Sequence, residues 1–251
     1  MSVLKYSMDR TVEVATTYNQ KYYDIIGKRM VESFVKHWPK HIQLHVYWQE
    51  AEPEIMADNI VYHELYKVQP QLKQWVDQHA DKKYHGWRED RGKFVWKNDG
   101  VKFSHKVFAQ THRIRNSTAD IILYSDADTE YTARPDLEYL SEICPADSLC
   151  TFFDRPKFRD ETGFYMHNPQ HPRAKQWADR LEEIYLSGEV WTYEKDRAAD
   201  QYTMAFGRDS FPDCKQMDLM RYHDGVDLKD PVPTSPLSKF LNHLKGDKKN
   251  Q

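Results

Sequence analysis

Asp126 and Asp128 stand one residue apart, directly behind the apolar run 121–124, in the segment ADIILYSDAD. Two carboxylates so close together at the end of a buried strand are costly unless something positive neutralises them. A hard divalent cation takes such oxygen ligands and commonly bridges to substrate phosphates. One reading is therefore a metal held by Asp126 and Asp128 against a diphosphate. The other is a solvated turn or helix N-cap, where Asp is also frequent. The run in front of the pair favours the first reading. Ile121, Ile122, Leu123 and Tyr124 are too few for a helix and fit a strand covered on both faces. The carboxyl ends of such strands are where open α/β sheets bind ligands.

The elements that must position these acids follow in chain order. Residues 11–17 (TVEVATT) alternate and read as a first strand. A helix is expected over about 22–37, with Ile25, Ile26, Met30, Phe34 and Val35 on its apolar stripe, stopped by Pro39. A second strand over 42–48 completes a βαβ unit and starts a parallel sheet. A short strand over 60–62, a helix over 71–79 and an irregular stretch over 81–100 come next. A helix over 101–115 then leads into the central strand, with Val101, Ser104, Val107, Phe108, Thr111 and Ile114 on one side and Lys102, Lys106 and Arg113 on another. Beyond it lie a helix opened by Arg134-Pro135, strands at 149–153 and 162–167, helices at 172–186 and 196–206, and a last strand at 217–222. After Gly225, Pro231, Pro233 and Pro236 forbid long regular structure. A brief amphipathic segment over 237–244 and a polar tail finish the chain.

The 251 residues suffice for one large α/β domain. Lys plus Arg number 36 and Asp plus Glu 39, so the net charge of −3 excludes a nucleic-acid footprint over the whole surface. A local one is another matter. Residues 82–115 carry ten Lys and Arg against three acids, an excess of seven. Such a stretch can attract a polyanion, or it can be a solvated face with one or two ligands for a donor phosphate. Cys144, Cys150 and Cys214 form no CxxC pattern, so reduced thiols are expected rather than a disulfide framework or zinc site. The first ten residues lack the apolar core of a signal peptide. No run approaches the roughly 18 apolar residues of a membrane span. A cytoplasmic protein is the expectation.

Taken together, the order of pieces resembles the GT-A glycosyltransferases, the DxD-containing nucleotide-sugar transferases, and within them the glycogenin-type, retaining branch. The likeness extends from about residue 12 to 249 and rests on short motifs. The resemblance implies a mixed, mainly parallel α/β sheet flanked by helices, in one domain over 1–251. Residues 11–128 would bind the nucleotide sugar, 129–235 the acceptor, and 236–251 the metal and diphosphate. It implies that Thr16, Thr17 and Asn19, with Tyr22 or Tyr23 shortly after, hold the nucleotide. Lys106 matches the basic donor ligand, and Asp126-Ala127-Asp128 the DxD. Thr162-Gly163-Phe164 matches the strand near the sugar, and Asp200-Gln201 the pair near the reacting carbon. His243, Gly246 and Lys249 match a terminal His-x-x-Gly-x-x-Lys, whose His completes the metal site and whose Lys binds the diphosphate. The Pro-Trp that often follows that Lys is missing.

The implied cofactor is Mn²⁺ or Mg²⁺, with a nucleotide-diphosphate sugar, foremost a UDP-sugar, as donor. Two carboxylates and an imidazole suit Mn²⁺ better. The acceptor stays open between a glycan or lipopolysaccharide and DNA, since some phage transferases of this look decorate hydroxymethylated pyrimidines. Two other classes remain. A nucleotidyltransferase or phosphohydrolase also places acids after a strand, and a non-catalytic nucleic-acid-binding module would use the basic stretch alone.

Overall fold

The computed structural model describes residues 10–50, 53–155, 157–193 and 197–246. Thirteen strands are present among them: β1 Val12–Asn19, β2 Gln43–Gln49, β3 Ile60–Glu64, β4 His85–Arg88, β5 Lys93–Asp99, β6 Ile121–Ser125, β7 Thr129–Tyr131, β8 Ser148–Phe152, β9 Asp154–Arg155, β10 Arg159–Asp160, β11 Phe164–His167, β12 Lys215–Asp218 and β13 Leu241–His243. Seven form the central sheet in the order β12-β8-β11-β6-β1-β2-β3. The run β6-β1-β2-β3 is parallel, β12 is parallel to β8, and β11 is antiparallel to both neighbours. This is the mixed, mainly parallel α/β sheet that the sequence predicts.

The residues of β6 show why its sequence is continuously apolar. Ile121 and Leu123 enter one core with Val14, Met30, Phe34 and Leu44. Ile122 and Tyr124 enter the opposite core with Val107, Phe108 and Trp177. Side chains alternate along a strand, so a strand covered on both faces needs apolar residues at every position. The helix Lys28–His37 contributes to the first core, and Gly100–Asn116 and Ala174–Leu186 to the second.

Three local expectations are corrected and a fourth is refined. The first helix begins earlier, at Gln20, because the Asn19 side chain caps it by accepting from Tyr22 N–H at 3.0 Å; a π-helical turn, Tyr23–Gly27, interrupts it. The stretch 81–100 is no loop. It folds into the antiparallel hairpin β4–β5, with Gly92 in the left-handed region (φ 57°) where the chain reverses. The expected strand over 217–222 splits into β12 and a helical turn, Leu219–Tyr222, capped by Asp218. Finally, the brief amphipathic segment expected over 237–244 resolves into two pieces. A 3₁₀ turn, Pro236–Lys239, leads into β13, which pairs antiparallel with β7.

Candidate active site

The acids sit where the central strand leaves the sheet. Asp126 N–H donates to Gly163 O at 3.0 Å, and Thr129 N–H closes a turn onto Asp126 O at 2.9 Å. The chain then enters β7. Opposite it, β13 sets His243 against Thr129, and Leu244 N–H donates to Asp128 O at 2.8 Å. Main-chain pairing thus carries a histidine from the far end of the chain to the acids. His243 Nε2 lies 3.1 Å from Asp128 Oδ1. One ligand atom from each of Asp126, Asp128 and His243 falls within 4.8 Å of the others.

Gly163 makes room for that ring. A Cβ at this position would stand 2.1 Å from His243 Cε1, a distance no side chain tolerates. On the other side of the imidazole, Glu161 Oε1 lies 3.8 Å from Nδ1, which is buried without a hydrogen-bond partner. Glu161 is itself held by Arg155 and Lys245, each at 2.8 Å, and Lys245 also reaches Asp230 at 3.0 Å. Burial works against the Glu161 carboxylate, but His243, Arg155 and Lys245 outweigh it and bring its pKa down to about 2. Burial likewise opposes a charge on His243, and Asp128 and Glu161 outweigh it, so its pKa is raised.

Lys106 closes the opposite side. Its ammonium lies 2.6 Å from Asp126 Oδ1, 2.7 Å from Asp200 Oδ2 and 5.3 Å from the centre of the Tyr124 ring. Lys102, Lys106 and Arg113 share one side of their helix, as the sequence predicts, and on it Lys106 and Arg113 are both buried. Their partners come from other elements, Asp126 and Asp200 for Lys106 and Glu13 for Arg113. Burial opposes the Lys106 charge, but the two carboxylates override it and raise its pKa. Asp126 is raised as well, first by burial and then by Asp128 and Asp200, against the pull of Lys106.

Asp200 and Gln201 open the helix Asp200–Asp209, both buried, with Gln201 N–H on Asp200 Oδ1 at 2.9 Å. Ala127 is buried between the acids, and Gly246 takes a left-handed φ of 60° shortly after His243. Lys249 lies outside the described residues. At the end of β1, Thr16 is buried, and Thr17 Oγ donates to Tyr47 O at 2.6 Å and accepts from Gln49 at 2.9 Å. Asn19 is engaged in capping. Of the two tyrosines, Tyr23 belongs to the core, while Tyr22 lies half-buried with its hydroxyl 2.7 Å from Lys102 Nζ.

Sequence reading missed Glu161, Lys245 and Asp230. Glu161 carried one signal, an acid two residues before Gly163 in a strand expected near the sugar. Lys245 and Asp230 carried none, since only the fold places them beside Glu161.

The donor set fits a divalent cation. Three carboxylates, Asp126, Asp128 and Asp200, face one ammonium and one imidazole, and two oxygen ligands with one nitrogen suit Mn²⁺.

No family model and no curated protein sequence matches the chain. Solved structures do. The glycosyltransferase GlyE of Streptococcus pneumoniae TIGR4 aligns with a TM-score of 0.51 at 12% identity, over 95% of this chain and 55% of that one. Mouse xyloside xylosyltransferase 1, in its apo form, aligns at 0.48 and 11% identity over 83% and 84% of the two chains. The bifunctional glycosyltransferase WbbM aligns at 0.48 and 14% identity, over 80% and 38%. The chain thus spans about half the length of GlyE and less of WbbM. The likeness to GlyE establishes a shared fold, the one the GT-A resemblance implies.

Proposed function

We propose that this chain is a metal-dependent glycosyltransferase that moves a sugar from a nucleotide-diphosphate sugar to a hydroxyl acceptor. The observation that carries the reading is the meeting of Asp126, Asp128 and His243, from two distant segments, at the carboxyl rim of a sheet shared with a glycosyltransferase. Asp126, Asp128 and His243 would hold Mn²⁺, with Mg²⁺ a poorer fit to the imidazole nitrogen. The ion supplies Lewis-acid stabilisation of the departing diphosphate.

The chain's own residues do the rest. Lys106 holds Asp126 and Asp200 in fixed relation and adds positive charge on the donor side, where negative charge develops. Asp200 and Gln201, at the start of their helix, would border the reacting carbon and offer a carboxylate and an amide to its oxocarbenium-like charge. The Glu161 carboxylate, 3.8 Å from His243 Nδ1, would supply negative charge behind a metal-bound imidazole. Thr16, Thr17 and the Tyr22 rim would border the nucleotide, and Gly246 with Lys249 the diphosphate. Retention of anomeric configuration is what the glycogenin-type resemblance implies. A nucleotidyltransferase or phosphohydrolase would have no need of the terminal His-x-x-Gly-x-x-Lys as a whole.

The test is a thermal-shift screen of UDP-, GDP- and CMP-sugars with and without Mn²⁺. A ligand that binds only the folded state raises its melting temperature. The reading expects a shift with a nucleotide-diphosphate sugar that depends on Mn²⁺ and is lost in Asp128→Ala. A shift of equal size without metal sinks it.

A further inference from the structure

The ten cations of residues 82–115 meet different fates. At the hairpin tip, Lys82 pairs with Glu89 and Arg88 with Asp90, each at 2.8 Å, while Arg91 lies 3.7 Å from Asp90 and Lys83 4.0 Å from Asp81. On the helix, Lys106 is held by Asp126 and Asp200, Arg113 by Glu13, and Arg115 by Asp179 and Glu182. Lys93, Lys97 and Lys102 are left, with no acidic partner among the described residues. Lys93 and Lys97 lie on β5, and Lys102 in the first turn of the helix that follows it.

Lys97 and Lys102 lie beside aromatic rings, and Lys93 is exposed one residue before Phe94. Phe94 is 55% and Trp96 48% exposed. The Trp96 ring meets Phe103 edge-on at 6.1 Å. Lys97 Nζ lies 5.4 Å from the Trp96 ring centre, and Lys102 Nζ lies 5.2 Å from that of Phe103 and 4.8 Å from that of Tyr22. Gly86, at φ 85°, lets the Phe94 ring cross β4, since a Cβ there would come within 2.7 Å of it. The row borders the candidate active site. β5 runs directly into the helix bearing Lys106, and Ala198 N–H, two residues before Asp200, donates to Lys97 O at 2.7 Å.

We propose that this row of rings and lysines binds a single-stranded or locally unpaired stretch of polynucleotide, which brings the acceptor hydroxyl to Asp200. The inference rests on the transferase reading above. Rings open to solvent offer stacking platforms to successive bases, and lysines beside them meet the phosphates. Each lysine over a ring also adds a cation–π contact. A neutral glycan stacks on tryptophan too, but brings no negative charge to meet three ammonium groups that lack acidic partners.

The experiment is fluorescence anisotropy of a labelled oligothymidine, about 15 nucleotides long, titrated with the full chain across a range of salt. Three phosphate contacts at about 0.7 each predict a log–log salt slope near −2. Replacing Lys93→Gln and Lys97→Gln together reduces that slope to about a third, and Trp96→Ala weakens binding about tenfold. Absence of binding at low salt overturns the proposal, and so does a slope unmoved by the double variant. Tryptophan fluorescence that responds to maltohexaose and not to oligothymidine overturns it in favour of a glycan. A manganese-dependent shift with a UDP-sugar, without oligothymidine binding, sinks this surface and leaves the transferase reading standing. Oligothymidine binding without any such shift supports the surface and sinks the transferase reading.

Discussion

At Gly163 a methyl group would fall 2.1 Å from His243 Cε1, so Gly163→Ala must push the ring off Asp128. Mn²⁺ affinity, read from the EPR signal of free ion, is expected to fall at least tenfold while the sheet stays folded; unchanged affinity would separate His243 from the ion. Glu161→Gln keeps the side chain's shape but removes the charge behind the imidazole, and the same assay is expected to show a loss of about 10–100-fold. Lys106→Met strips the cation from two carboxylates. Removing one partner of a buried ion pair costs about 3–5 kcal/mol, visible as a lower urea midpoint, unless Mn²⁺ compensates. At this scale the sequence was informative where chemistry is local. The two acids announce themselves behind an apolar run, and Gly163 and His243 stand in recognisable motifs. Lys106 stands in a motif as well, but its pairing with two acids does not show, because helical periodicity sees its own helix and not the acids at 126 and 200.

Elements carry the histidine to the acids. β13 is three residues long, and its register against β7 places His243 opposite Thr129. Register depends on the partner strand, which is why residues 237–244 show no more than a brief amphipathic segment in their own pattern. The hairpin was hidden for a related reason: its alternation is blurred by Phe94 and Trp96, which remain exposed, so no clean inside and outside appears. The long buried helices were legible because their apolar stripes are their own. Asp200 is positioned by the packing of Asp200–Asp209 on Ala174–Leu186, which passes through Gly207. A Cβ at Gly207 would lie 2.7 Å from Leu181 Cδ2 and 3.2 Å from the Trp177 ring. Gly207→Ala is expected to part the two helices and lower stability by about 1–3 kcal/mol, measured by urea unfolding. An unchanged midpoint would mean the helices adjust without strain.

Over the whole molecule, buried neutral histidines set the acid limit. His167 sits between Gln110 Oε1 at 2.8 Å and the Trp177 indole N–H, which donates to Nδ1 at 3.2 Å. Burial lowers its pKa to about 3, and burial with Arg113 lowers that of His45 to about 3. Between these values and about 6.5, where histidine titrates when unfolded, the unfolded chain binds more protons than the folded one. Stability therefore rises with pH through this window and is lost as pH falls. The loss at pH 5 is on the order of 2 kcal/mol for each of these two residues. A melting temperature several degrees lower at pH 5 than at pH 7 is expected; a flat profile would contradict the burial. The central strands and the long helices around them show in apolar runs that the sequence displays openly, while the strand order does not. What joins the rim into a site is contact between segments more than a hundred residues apart, which only the folded chain reveals. That junction is tested most directly by titrating Mn²⁺ into the wild type, Asp128→Ala and His243→Asn while following free-ion EPR with and without a UDP-sugar. The account predicts one site in the wild type, tightened by the nucleotide sugar and lost in both variants. Binding that survives His243→Asn undiminished would contradict it.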